Sequence, residues 1–135
     1  MSEYGPVLIT GATGFVGAAV LDELRSTGRR VRALTRTDAG ERTLSALGAA
    51  PVRGDIMEID GLISAAQGCD VIYHVAGVNA FCLPDPAPLY RMNVDGTRNV
   101  VRAAVAAGVR RVVYTLSLIH ISEPTRRTPI SYAVF

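Results

Sequence analysis

The residues best equipped for chemistry lie near the start of the chain, in Val7-Leu8-Ile9-Thr10-Gly11-Ala12-Thr13-Gly14-Phe15-Val16-Gly17. Val7–Thr10 has no polar alternation, as expected of a strand buried on both faces. It runs straight into Gly11-x-x-Gly14-x-x-Gly17. In such a loop the first glycine turns the chain sharply off the strand, and the second lets the backbone approach a pyrophosphate. The third allows the following helix to pack closely on the sheet. From Gly14 onward Val16, Val20, Leu21 and Leu24 recur at helical spacing, with Asp22, Glu23 and Arg25 turned to water. A phosphate would therefore meet a helix N-terminus, where unpaired N–H groups and the helix dipole favour an anion. Three glycines alone are weak evidence; between a buried strand and an amphipathic helix they are strong.

The end of the second strand bears on which dinucleotide fits. A carboxylate there suits the ribose 2′-hydroxyl of NAD, whereas an arginine suits the 2′-phosphate of NADP. The chain has Leu34-Thr35-Arg36-Thr37-Asp38. Arg36 can form a bidentate phosphate contact and favours NADP, while Asp38 keeps NAD open.

The elements that must position these residues alternate short β-rich runs with helical patterns, the signature of a parallel sheet with crossover helices. Gly28 is a natural stop for the first helix. Val31–Thr35 reads as a second strand, Glu41–Leu47 as a short helix and Pro51–Arg53 as a third strand. Ile59–Gln67 reads as a helix ending at Gly68, and Val71–Val75 as a fourth strand. Pro86–Ala107 predicts one long helix, with Arg91, Asp95, Arg98 and Arg102 on its polar stripe and Asn93, Thr97, Val100, Val101 and Ala104 on its buried one. Arg111–Thr115 closes the series. Right-handed crossovers give a doubly wound α/β sheet of about five parallel strands in the order 3-2-1-4-5.

Four further segments extend the pattern: Gly54-Asp55-Ile56, His74-Val75-Ala76-Gly77, Asn93-Val94-Asp95-Gly96-Thr97-Arg98-Asn99 and Arg111-Val112-Val113-Tyr114-Thr115. Together with Thr10-Gly11-Ala12-Thr13-Gly14-Phe15-Val16-Gly17, they resemble the extended branch of the short-chain dehydrogenase/reductase superfamily. That branch holds NAD(P)-dependent sugar epimerases and dehydratases, dihydroflavonol reductase-like enzymes and hydroxysteroid dehydrogenases. The resemblance covers the whole chain up to Thr115 and implies a Rossmann fold. It implies cofactor contacts at Gly11, Thr13, Gly14, Phe15, Val16 and Gly17 in the loop. It implies others at Asp55 and Ile56, whose aspartate would hold the adenine amino group, and at Ala76, Gly77 and Val78 along the cofactor. Asn93 would order the site between cofactor and substrate, and Thr115 would end the strand leading to the reacting groups. Each has a plainer reading. Asp55 can cap the helix that follows it, His74 reads as a neutral imidazole inside the fold, and Asn93 on an apolar face needs hydrogen-bond partners.

The same family performs hydride transfer with a Tyr-x-x-x-Lys pair, in which the lysine lowers the tyrosine's pKa. All 14 basic Lys and Arg residues of this chain are arginine, so the pair is absent and no catalytic set is complete. Ser117 stands where the family's catalytic serine would align. The segment Asn79–Pro88, with Pro84, Pro86 and Pro88, resembles a stretch of sugar-epimerase-like members bordering the active site.

Composition changes at about residue 116. All 13 glycines lie within the first 115 residues, and the final twenty carry a different mixture, richer in serine and nearly free of alanine. Residues 116–135 resemble no protein family; they resemble a translated transposon-type sequencing-library adapter. In one frame its constant parts encode Leu116 through Arg126 and Ile130 through Phe135, around a short index at Arg127-Thr128-Pro129. The expected organisation is therefore an incomplete NAD(P)-binding domain, 1–115, followed by a non-native tail, 116–135. On this reading the Ser117 match is a coincidence.

Composition also narrows the partners. The chain has 135 residues, 49% hydrophobic and 19% charged, which allows one domain with a real core. A net charge of +2 gives no reason to expect nucleic acid or a membrane surface. Arg29, Arg30 and Arg32, like Arg110 and Arg111, read as solvated loop charges. The N-terminus lacks the pattern of a signal peptide, and no apolar run approaches the ~20 residues of a membrane span. Cys69 and Cys82 form neither a CxxC pair nor a zinc pattern, as in a reduced cytoplasmic protein. The partners expected are a dinucleotide, NADP or NAD, and a small-molecule substrate for the full-length parent, with a homodimer as that parent's expected assembly. Three functions compete: the cofactor-binding part of a reductase, epimerase or dehydratase acting on a sugar or other alcohol or ketone; a non-catalytic NADP-binding sensor; and a stand-alone binding module using only the half-sheet, whose exposed edge would favour aggregation. The Asn93-Val-x-Gly-Thr and His-x-Ala-Gly segments favour the enzyme branch. Substrate, reaction subtype and oligomeric state are not set by these residues.

Overall fold

A computed structural model describes residues 4–78 and 84–116 and the backbone of 131–134. Its strands are β1 (Val7–Thr10), β2 (Val31–Thr35), β3 (Ala50–Arg53), β4 (Val71–His74), β5 (Arg111–Leu116) and β6 (Ser131–Val134). The helices are α1 (Phe15–Ser26), α2 (Asp38–Ala46), α3 (Ile59–Ala66), α4 (Ala87–Tyr90) and α5 (Gly96–Ala106), with a π-helical turn at Arg91–Asp95 joining the last two. The sheet order is β3-β2-β1-β4-β5-β6. The first five strands are parallel, with Val7 opposite both Val31 and Val71, and Val71 opposite Arg111. This is the doubly wound order expected from the sequence.

The central strand explains why the sheet must be covered on both sides. Val7, Leu8 and Ile9 are all fully buried. Val7 and Ile9 pack with Leu21, Leu24, Ala33 and Leu44 under α1 and α2. Leu8 points the other way, toward Leu62, Ile72, Val100 and Val112 under α3 and α5. Burying a Leu or Ile side chain contributes roughly 1.5–3 kcal/mol, so both layers hold the strand in place.

Several local expectations are corrected. Helix α2 begins at Asp38, three residues before the expected Glu41, because the Thr37 hydroxyl accepts the Gly40 N–H at 3.0 Å and caps it. The expected helix over Pro86–Ala107 is interrupted by the π turn, and the buried stripe of α5 is Gly96, Val100, Ala103 and Ala104. Val101, expected inside, is exposed. Val16, expected on the buried stripe of α1, is half exposed, and Gly17, Leu21 and Leu24 form that stripe instead. Arg29 and Arg32 are not free loop charges. Arg29 pairs with Asp70 at 3.5 Å and donates to the Gly5 carbonyl, while Arg32 donates to the carbonyls of Ala65 and Gln67.

The sheet has six strands where five were expected. The backbone of Ser131–Val134 runs antiparallel to β5, with Thr115 opposite Tyr132. The outer edge of β5 would otherwise leave a row of unpaired N–H and C=O groups, which any short β-prone segment can satisfy. Cys82, Ser117 and Asn79 to Leu83 of the proline-rich segment lie outside the described residues.

Candidate functional site

The β1–α1 junction is built around absent side chains. Gly11 has φ +77°, and a Cβ there would come within 2.5 Å of the Ala76 N. A Cβ on Gly17 would run into the Gly11 carbonyl. The loop therefore closes tightly on itself, with Gly14 N–H donating to the Gly11 carbonyl at 3.1 Å. Helix α1 starts after Gly14, which offers no side-chain cap. Its first-turn residues Phe15, Val16 and Gly17 consequently bring uncapped N–H groups to the lining of a cleft of about 700 Å³.

That cleft runs along the carboxyl ends of the strands, where open α/β sheets bind ligands. Besides the loop it is lined by Arg36 after β2, by Asp55 and Ile56 after β3, and by Ala76, Gly77 and Val78 after β4. Twelve of the fourteen residues expected from sequence thus meet on one surface. The other two, Asn93 and Thr115, are not part of its lining. Asn93, in the π turn, brackets Val78: its Oδ1 accepts the Val78 N–H at 2.8 Å and its Nδ2 donates to the Val78 carbonyl at 2.9 Å. Thr115 lies on β5, next to Tyr114, which pairs with His74 of β4.

Sequence reasoning missed part of the lining. Thr35, Thr37, Ala39, Gly40 and Thr43 join the cleft because α2 starts early and presses on β2. A Cβ on Gly40 would collide with the Thr35 hydroxyl. The signal was available: Thr37 followed by Asp38 and Glu41 is an N-cap with an acidic first turn. Met92 also reaches the cleft, carried there by the π turn, which no local pattern announces.

Asp55 serves the loop itself. Its Oδ1 accepts the Met57 N–H at 2.9 Å, two residues short of α3, so it shapes the turn before the helix and does not cap the helix. Its other carboxylate oxygen can still accept from a ligand.

His74 is fully buried beneath the cleft. Its Nδ1 lies 2.7 Å from the Thr10 hydroxyl and its Nε2 2.9 Å from the Thr97 hydroxyl. Thr10 Oγ1 also accepts the Ala76 N–H at 3.2 Å, and Tyr114 stacks on the imidazole at 5.1 Å. Burial lowers the His74 pKa to about 4, so the ring is neutral at physiological pH, and both nitrogens are partnered in either tautomer. His74 is a joint between β1, β4 and α5. It has no route to a ligand. Cys69 is buried too, and burial raises its thiol pKa, which makes it unreactive.

A parallel, doubly wound sheet with a glycine cradle at its first β–α turn, opening on a cleft at the strand ends, defines a Rossmann-type nucleotide-binding domain. The NAD dependent epimerase/dehydratase family model matches residues 7–131, and the chain belongs to that family. A relative in Synechocystis sp., provisionally named a dihydroflavonol 4-reductase, is 42% identical over 110 residues, 82% of this chain and 32% of its own length. A short-chain dehydrogenase/reductase superfamily protein of Agrobacterium tumefaciens, solved with bound NAD, is 34% identical with a TM-score of 0.66, over 80% of this chain and 31% of that one. An NADPH-dependent quinone oxidoreductase of Escherichia coli, solved with NADPH, is 30% identical with a TM-score of 0.66, over 81% and 36%. The chain spans about a third of the length of the curated relatives it matches. The family binds NAD(P), and the solved structures similar to this chain include complexes with either dinucleotide. Among the described residues no helix is long and apolar enough to cross a membrane.

Proposed function

We propose that this chain is the dinucleotide-binding part of an NAD(P)-dependent reductase, epimerase or dehydratase whose parent acts on a sugar or another alcohol or ketone, with NADP the favoured cofactor. The observation that carries this is the cradle of Gly11, Gly14 and Gly17 against the uncapped start of α1, in which neither Gly11 nor Gly17 has room for a side chain, leaving the backbone open to a pyrophosphate. Its N–H groups would hold that anion by hydrogen bonds and by the helix dipole. Arg36 would take the 2′-phosphate, Asp55 would accept the adenine amino group, and Ile56 would pack on the ring. Ala76, Gly77 and Val78, held by Asn93, would run along the cofactor toward Thr115. The bound dinucleotide supplies the hydride donor or acceptor; the chain supplies its binding and orientation.

As it stands the chain has no lysine and so no Tyr-x-x-x-Lys pair. It binds dinucleotide weakly and does not turn over, and residues 116–135 are not native to the domain. Fluorescence titration of the purified chain with NADPH and NADH tests the binding. Saturable binding of NADPH, tighter than of NADH, with no NADP-dependent oxidation of any alcohol, is expected. Turnover well above a no-enzyme control would refute the incomplete site. Resequencing the source locus across the codons for residues 105–135 tests the tail. A frame that leaves this sequence after Thr115 and continues to a Tyr-x-x-x-Lys supports the enzyme. Twenty tail codons that prove genomic would refute the adapter origin. They would move a second reading, a non-catalytic NADP sensor, to the front, since the chain would then natively lack the lysine.

A further inference from the structure

Arg53, the last residue of β3, is not part of the cleft lining, yet it controls the charge at its rim. Its Nη1 donates to the Arg36 carbonyl at 2.8 Å, its Nε to Glu41 Oε1 at 3.0 Å, and its Nη2 to Asp38 Oδ1. One planar guanidinium thus fixes the backbone of Arg36 and occupies both carboxylates of the first turn of α2. Hydrogen bonds to Asp38 and Glu41 hold it still more firmly in the charged form. Among the described residues Arg36 itself makes no ion pair, and its exposed side chain lies on the cleft.

We infer that Arg53 is the positioning residue that sets the preference between NADP and NAD, by withdrawing Asp38 and Glu41 from the ribose end of the cleft and leaving Arg36 to face the 2′-position. This rests on the dinucleotide reading above. With Arg53 in place the four charges of the rim cancel: Arg36 and Arg53 against Asp38 and Glu41. Without it the rim carries a net negative charge, and Asp38 is released toward the place where a carboxylate would accept from a ribose 2′-hydroxyl. A 2′-phosphate, with close to two negative charges at neutral pH, is repelled by that change; a 2′-hydroxyl is not. Exposed ion pairs contribute little to stability, so the exchange alters recognition more than folding.

The test is a pair of fluorescence titrations, with NADPH and with NADH, on the full chain and its variants Arg53→Met, Asp38→Asn and the two combined. Circular dichroism confirms the fold of each. For Arg53→Met the Kd for NADPH is expected to rise about tenfold, the Coulomb cost of one unbalanced charge near a phosphate in partly screened solvent. The Kd for NADH should stay within about twofold, since no charge is opposed there. Asp38→Asn should tighten NADPH severalfold and leave NADH unchanged, and adding it to Arg53→Met should restore much of the lost NADPH affinity. Equal shifts for both dinucleotides, or none, would overturn the inference and leave the binding site standing. A tenfold loss of NADH on Asp38→Asn would also overturn it, because Asp38 would then already hold the ribose. If Arg53→Met does not fold, Asp38→Asn alone decides between these results. If the unmodified chain binds neither dinucleotide, the reading of the cleft fails first and this one with it.

Discussion

His74 should make the stability of the domain depend on pH in a range where few other groups titrate. Its folded pKa is lowered by burial to about 4, against about 6.5 in an unfolded chain. Between those values the unfolded chain binds a proton that the folded one refuses. The stabilisation is therefore fully present above pH 6.5 and is lost as the pH falls toward 4. The total is about 3 kcal/mol at 1.36 kcal/mol per pKa unit, and about 2 kcal/mol of it disappears between pH 7 and pH 5. Against a typical stability of about 5–15 kcal/mol that is a readable loss. Urea denaturation followed by circular dichroism at pH 7, 6 and 5 measures it, with His74→Gln as the reference. Subtracting the variant's pH dependence removes the contribution of the remaining histidine and of carboxylates beginning to protonate. The difference between wild type and variant should shrink by about 2 kcal/mol from pH 7 to pH 5. A difference that stays constant to within about 0.5 kcal/mol, beyond the error of the method, would refute the buried neutral imidazole and the joint it forms with Thr10 and Thr97.

Thr97→Val leaves His74 Nε2 without its partner and should cost about 1–3 kcal/mol of stability by the same urea assay. Gly17→Ala drives a methyl group into the Gly11 carbonyl; saturable NADPH binding should be lost, and binding at wild-type strength would show that the cradle is not where the dinucleotide sits. Asn93→Ala removes two solvent-exposed hydrogen bonds to Val78, and hydrogen exchange should report faster exchange at the Val78 amide, with a stability loss of only about 0.5–1.5 kcal/mol because water can replace the amide. Leu8→Ala, in the centre of the sheet, should cost about 2–5 kcal/mol, read as a lower urea midpoint.

Much of this protein follows from local chemistry. The unbroken apolar run Val7–Thr10 can only be a strand covered on both faces, and glycines at positions 11, 14 and 17 leave the backbone few choices other than a tight turn into a helix. Those two facts, with the β and helical periods that follow, were enough to order the parallel strands and to gather most of the cleft. The sequence marked Asn93 as a polar residue needing partners, but not that both would come from Val78, fifteen residues away. It marked Arg36 without its neighbour. Arg53 reads locally as the polar end of a short strand, and only parallel pairing of β2 with β3, which sets Thr35 beside Arg53, brings its guanidinium to Arg36, Asp38 and Glu41. The π turn that carries Met92 into the cleft, and the early start of α2 against Thr35, likewise depend on how helices settle on the sheet. Periodicity fixes which face of an element is apolar; charge partners and the exact phase of a helix are fixed only when elements distant in sequence pack together.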